Sequence, residues 1–236
     1  MRYEWYRWRW AALDWLFPPT CGGCEMPGER WCRDCQVKIA PVAPPFCERC
    51  GQTTSGGGLC DRCISSPPKM TAIRSWAVFD GPIREAMHRV KYRRDVALAE
   101  ALSRPLVGYV RDLNWHLDII VPVPLSAKRM KERGYNQAAL LAKPLALGLG
   151  LKYCDKALSR GRDTRSQVGL SLDQRRQNVH GAFSASKSMV SGKAVLVVDD
   201  VATSGSTLDS CAEALWHTGA ENVYGMTLAR AVLSSK

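Results

Sequence analysis

The sequence predicts an α/β domain built on a mostly parallel sheet, preceded by a small cysteine-rich module. Three observations carry this. From about residue 73 onward, apolar strand-like runs alternate with amphipathic helical patterns, as in successive βαβ units. One such run, Ala194 to Val198, leads through adjacent carboxylates, Asp199 and Asp200, into Thr203-Ser204-Gly205-Ser206-Thr207 and a helical pattern. Before residue 64, eight of the ten cysteines stand in four C-x-x-C pairs.

Residues 1–18 read as an aromatic helix. Trp8, Ala12, Trp15 and Leu16 share one face, and Pro18-Pro19 stops it. One reading has that face cover the cysteine module, which is too small to own much core. The other is peripheral contact with a membrane surface or a partner. Charges interrupt the segment, so it lacks the apolar stretch of a secretory signal. No apolar run approaches the ~20 residues of a membrane span. Together these lead us to expect a cytoplasmic protein.

The cysteine module spans residues 19–66. Cys21, Cys24, Cys32 and Cys35 form two pairs. After the prolines at 41, 44 and 45, Cys47, Cys50, Cys60 and Cys63 form two more. Each pair can turn two thiolates onto one ion, and two pairs complete a closed Cys₄ structural zinc site. Gly51 suits the tight turn after Cys50. Two structural zinc ions are therefore expected. Sequential and cross-braced pairings both satisfy the spacing, and neither leaves an open position for catalysis.

Ser65 to Pro68 reads as a linker, and residues 69–236 as the α/β domain. Ile73 to Phe79 is a strand, and Pro82 then starts a helix to Tyr92. Asp95 caps a helix running to about Leu113, striped by Leu98, Leu102, Leu106 and Val110. Asp118 to Val123 is a second strand. A basic loop follows, with Lys128, Arg129, Lys131 and Arg133. A helix then runs from about Gly134 to Leu147, with Pro144 expected to kink it. Lys152 to Leu158 is read as a third strand. Ser159 to Phe183 is too polar for core and long for a connector, so it suggests a basic lid, a short exposed helix at Leu172 to Val179, or both. After the central strand come a helix from Thr207 to Thr218 and a last strand from Asn222 to Arg230.

Charge supports an anionic ligand. The net charge is +11, yet residues 1–68 carry eight Lys/Arg against seven Asp/Glu, so +10 lies in residues 69–236. Lys193 to Thr207 has the form of a buried strand, an acidic tip and a phosphate cradle at a helix N-terminus. Gly205 lets backbone approach a phosphate, and Thr203, Ser204, Ser206 and Thr207 add hydroxyls. No Walker A lysine and no G-x-G-x-x-G are present. Paired acids before such a cradle can accept hydrogen bonds from the vicinal hydroxyls of a ribose 5-phosphate. Alternatively they cap a helix or bind metal. The cations at 128–133, beside a strand end, suit either a pyrophosphate or a solvated turn.

The stretch from Lys193 to Thr207 resembles the signature of type I phosphoribosyltransferases, which bind 5-phosphoribosyl-1-pyrophosphate (PRPP). With the C-x-x-C pairs, V-P-V-P-L, R-G-Y-N-Q, R-D-T-x-S-Q-x-G-L-S and R-x-x-N-V-x-G-A-F, the chain resembles the ComF/GntX family from about Leu13 to Arg230. The resemblance implies a type I phosphoribosyltransferase fold behind a double zinc ribbon. It further implies that Asp199 and Asp200 hold the ribose hydroxyls, that Ala202 to Thr207 wrap the 5′-phosphate, and that Lys128 and Arg129 meet the pyrophosphate. Arg162, Asp163, Thr164 and Gln167 would belong to a flexible hood, and Mg²⁺ would arrive with PRPP. Thr203 stands where the 6-oxopurine enzymes carry a carboxylate, which counts against hypoxanthine or guanine as acceptor.

Two functions are therefore expected to compete. One is a PRPP-dependent phosphoribosyltransferase-like protein tied to DNA uptake or use of external DNA. The other is a single-stranded-DNA-binding accessory of the competence machinery that keeps the fold without turnover.

Overall fold

The computed structural model describes residues 3–6, 8, 14–15, 18–161 and 181–231. Its central sheet is assembled from the apolar runs: β1 (Ala72–Val78), β2 (Ile119–Pro122), β3 (Lys152–Tyr153), β6 (Ala194–Ala202) and β7 (Asn222–Arg230), in the order β1-β7-β6-β2-β3. Every neighbouring pair is parallel. Central β6 shows why its sequence is continuously apolar. Val195 and Val197 join the core on one face, and Leu196 and Val198 join the core on the other. A strand covered on both faces has no polar positions to alternate.

Helices α3 (Gly81–Tyr92), α4 (Val96–Asp112) and α6 (Gln137–Leu149) supply one covering layer, through Ile83, Met87, Leu98, Leu102, Leu141 and Leu145. On the opposite face lie α8 (Ser206–His217), through Leu208, Cys211 and Leu215, and the four-residue α7 (Lys187–Val190), through Val190. The expected Asp95 cap forms, and the structure adds one at Asn136. Asp95 accepts from the Leu98 N–H, and Asn136 accepts from the Ala138 N–H at 3.0 Å. Helix α6 runs through Pro144 as one element.

Two element assignments between β2 and β5 change. The basic segment after β2 is a helix, α5 (Ala127–Arg133), capped by Ser126 and closed by left-handed Gly134. Its polar sequence hid the helix because all its residues are at least partly exposed. The stretch from Lys152 to Leu158 is not one strand. β3 joins the main sheet, whereas β4 (Leu158–Arg160) pairs antiparallel with β5 (Phe183–Ala185) in a separate ribbon. Asp155 and Lys156 turn the chain between them.

The cysteine module holds α1 (Arg33–Val37) and α2 (Asp61–Ser65) and packs against the domain. The proline-rich link between its halves lies along edge strand β1, where the Val78 N–H donates to the Ala40 carbonyl at 2.8 Å. It thereby covers part of an otherwise open edge. The Ile73 N–H donates to the Arg49 carbonyl at 2.7 Å. A Cβ on Gly51 would lie 2.4 Å from the Ile73 carbonyl oxygen, so this contact requires glycine. At the N-terminus, Trp8 and Trp15 are 70% and 85% exposed, so these two side chains do not support the reading in which this face covers the module. The first ribbon instead turns Trp31 onto the domain core and Gly22 onto Leu98. Ala12 and Leu16 lie outside the described residues.

Candidate functional site

Strand β6 carries Asp199 and Asp200 at the carboxyl edge of the sheet, where open α/β sheets place ligands. Asp200 is buried, with a side chain 7% exposed, and forms an ion pair with Lys91 near the end of α3. Burial alone would raise the Asp200 carboxyl; the Lys91 ammonium overcomes this and holds it below the usual carboxylate range. Asp199 is partly exposed and accepts from the Asp200 N–H at 2.8 Å. Burial, then the neighbouring Asp200 charge, pushes its carboxyl well above that range. The site thus pairs an ionised acid with one that takes up a proton readily.

The sequence does not single out Lys91. No local signal separates it from Arg84, Arg93 or Arg94. Tyr135, in the R-G-Y-N-Q motif, donates its hydroxyl to the Val90 carbonyl and so fixes the backbone beside Lys91.

The loop after the acids has the geometry of an anion cradle. Gly205 is the N-cap of α8 at φ 78°, a left-handed conformation suited to glycine. The Ser204 and Ser206 hydroxyls are buried and bond each other at 2.7 Å, and the Ser206 N–H donates to Ser204 Oγ at 3.3 Å. They knit the turn from within, while Thr203 and Thr207 remain partly exposed. Arg62, from α2 of the second ribbon, donates to the Ser204 carbonyl. The ribbon therefore grips the loop directly, a contact that sequence patterning cannot foresee.

Lys128 and Arg129 lie in the first turn of α5. Pro122 pairs with Val198, so α5 starts beside the same strand ends as the acids. Arg133 holds its guanidinium 5.8 Å from the ring centre of exposed Tyr92, the residue after Lys91. The predicted hood residues Arg162, Asp163, Thr164 and Gln167, and the helix at Leu172 to Val179, lie outside the described residues. β4 and β5 pair at the two ends of that segment.

The cysteines gather as two sequential groups, Cys21/Cys24/Cys32/Cys35 and Cys47/Cys50/Cys60/Cys63, with the four sulfurs of each within 4.8 Å of one another. This decides between the two pairings. A tetrahedral ion with Zn–S bonds of about 2.3 Å has S···S edges of about 3.8 Å. Cys24 and Cys32 are 3.7 Å apart, and Cys50 and Cys60 are 3.8 Å apart. Backbone N–H groups also face the sulfurs, from Cys32 to Cys21 and from Cys60 to Cys47, each at 3.4 Å. Burial opposes the Cys21 and Cys47 thiolates, but such donors bring both thiols down to about 6. All eight thiols are free of disulfides, and both groups fit a structural Cys₄ zinc ion.

Residues 12–64 match the double zinc ribbon domain, and residues 97–232 match the phosphoribosyl transferase domain. The DNA utilization protein YhgH of Escherichia coli O157:H7 is 34% identical over 223 residues, covering 90% of this chain and 97% of the relative. Competence protein F of Haemophilus influenzae is 33% identical over 208 residues, covering 85% and 90%. Competence protein ComFC of Bacillus subtilis is 26% identical over 216 residues, covering 86% and 85%.

Proposed function

This chain belongs to the ComF family, a type I phosphoribosyltransferase fold behind a double zinc ribbon, and we propose that it binds Mg²⁺-PRPP at the β6 edge. One observation carries the reading: two adjacent acids at the carboxyl end of β6, Asp200 paired with Lys91, lead through residues 201–204 into a glycine-capped helix N-terminus. Asp199 and Asp200 accept hydrogen bonds from the ribose hydroxyls, and Ala202 to Thr207 wrap the 5′-phosphate. Lys128 and Arg129 face the pyrophosphate. Arg162, Asp163, Thr164 and Gln167 are assigned to the hood on their motif alone. The donors at this edge are hard oxygens and few, which fits an Mg²⁺ ion held largely by the substrate's own oxygens. That ion would neutralise charge on the leaving pyrophosphate.

In the reaction, a nitrogen lone pair forms a bond to ribose C1 as the C1–O bond to pyrophosphate breaks with its electron pair. The nitrogen's proton passes to solvent. Cations of α5 stabilise the charge that develops on the leaving group. The relatives' names suggest that the product serves DNA uptake or use of external DNA.

Titration calorimetry with Mg²⁺-PRPP tests the site. The double variant Asp199→Asn, Asp200→Asn should lose binding by at least about a hundredfold. Unchanged affinity would overturn the assignment. A pyrophosphate-release screen of PRPP with bases, amines and DNA fragments then identifies turnover.

A second reading is favoured by the α5 cations and by Tyr92 beside Arg133: single-stranded DNA tracked by charge and stacked on an aromatic ring. Its affinity should fall steeply and log-linearly with salt. A flat response would remove the electrostatic role of this face. Among the described residues, no helix is long and apolar enough to cross a membrane.

A further inference from the structure

The motif R-G-Y-N-Q, Arg133 to Gln137, joins α5 to α6. Gly134 closes α5 in the left-handed region at φ 83°, where a side chain would be strained. The chain then turns Tyr135 towards α3, and its hydroxyl donates to the Val90 carbonyl. Val90 lies in the last turn of α3, where helix carbonyls have no partner further along the helix.

Asn136 works in two directions. Its Oδ1 accepts from the Ala138 N–H at 3.0 Å and caps α6. Its Nδ2 donates to the Val123 carbonyl at 2.9 Å, just past the end of β2. Arg133 donates to Gln137 Oε1 and holds its guanidinium over the Tyr92 ring. The His88 ring backs Tyr92 from one turn earlier, with centroids 4.7 Å apart. The turn thus grips Val90 and Tyr92, the two neighbours of Lys91, and ties them to the carboxyl end of β2.

Lys91 itself reaches across to β6. Its ammonium pairs with Asp200 Oδ2, and the two side chains are 22% and 7% exposed. Among the described residues, this ion pair is the contact that Oδ2 has, since no hydrogen bond reaches it. A long side chain loses rotamer freedom when it is fixed. Anchoring the backbone on both sides of Lys91 reduces what must be ordered to make the pair. An ionised carboxylate has about four lone-pair sites, so an ammonium on one side leaves others for a ligand.

We propose that the Arg133–Gln137 turn is a positioning device for the ribose acids: it holds Lys91 against Asp200, and Lys91 fixes the orientation in which that carboxylate accepts from the sugar. Tyr135 and Lys91 both act through Asp200 and need no contact with the ligand. This rests on the sugar-phosphate reading above. It also joins the two halves of that site, because Arg133 ends the helix assigned to the pyrophosphate.

Titration calorimetry on the full zinc-loaded chain, with ribose 5-phosphate and inorganic phosphate as probes, tests the device. Both probes can enter the phosphate loop, but only ribose 5-phosphate brings hydroxyls to Asp200. Lys91→Met keeps the aliphatic stem and removes the ammonium. It should weaken ribose 5-phosphate at least about tenfold and change inorganic phosphate less than about twofold. Tyr135→Phe removes one oxygen and should weaken ribose 5-phosphate about threefold. The double variant should bind ribose 5-phosphate no worse than Lys91→Met alone, because Tyr135 works through Lys91. Lost packing would weaken both probes alike, and independent effects would multiply.

Unchanged ribose 5-phosphate affinity in Tyr135→Phe, or losses that multiply in the double variant, would overturn the role of the turn. Equal weakening of both probes in Lys91→Met would overturn the action of Lys91 through Asp200. The cycle uses ribose 5-phosphate alone, so it decides even where inorganic phosphate binds too weakly to read. Should Lys91→Met fail to fold, Asp200→Asn takes its place in the cycle with the same expectation. If the parent chain binds neither ribose 5-phosphate nor PRPP, the sugar-phosphate reading fails and the device with it. If the parent binds and only the cycle disagrees, the device fails while the site stands.

Discussion

Burial and the charge of Asp200 push the Asp199 carboxyl up, while Lys91 holds that of Asp200 down. The two make opposite demands on pH. For Asp199, the folded chain keeps a proton that the unfolded chain has lost. Its contribution is therefore full below the ordinary value of about 3.9 and fades as pH rises through the raised one. For Asp200 the contribution is present above about 3.9 and fades as pH falls through the lowered value. Asp199→Asn should thus gain stability relative to the parent as pH rises from 4 toward 8, by up to about 1.4 kcal/mol per pH unit. Urea denaturation at four pH values checks this, and parallel curves would refute it. The acids were readable in the sequence because they follow an apolar run. Lys91 was not, because its partner lies more than a hundred residues away and nothing in its own helix marks it.

At the level of elements, the strands were read well where burial shaped them. β6 and β7 are apolar enough to announce themselves, and α4 shows its stripe and its Asp95 cap. Reading failed where burial is slight. α5 looked like a loop because its residues are polar and at least partly exposed; its evidence lay in the Ser126 cap and the Gly134 stop. β3 and β4 were merged because two short strands separated by a turn resemble one irregular strand. The junction between β6 and α8 makes a sharper demand. At Gly205, φ is 78°, and an added Cβ would meet only Ile73 Cδ1 at 3.5 Å. Gly205→Ala is therefore strained without being crowded. Its cost should be about 1 kcal/mol, seen as a lowered urea midpoint at unchanged m-value. No measurable loss would mean that the turn relaxes.

Across the whole molecule, the second ribbon is joined to the site rather than appended to the domain. Arg62 reaches the Ser204 carbonyl, Arg230 reaches the Cys50 carbonyl, and Gly51 is pressed on β1. Metal analysis should find two zinc ions per chain. Stripping them with a chelator should lower ribose 5-phosphate affinity by at least about tenfold, because the ribbon folds only around its metal and then braces the loop. Far-ultraviolet circular dichroism should show the sheet retained. Full affinity in the stripped protein would show that the brace is dispensable.

The sequence alone determined the elements whose signals are local. Four C-x-x-C pairs specify thiolate sites because ligand spacing is a short-range property. An apolar run ending in two acids and a glycine turn specifies a strand, an edge and a helix start because each step depends on its neighbours. Only the tertiary structure decided which cysteines share an ion, that Lys91 meets Asp200, and that the second ribbon meets Ser204 and Arg230. These are contacts between elements far apart in the chain. They are set by how the layers pack, and no residue on either side carries their mark.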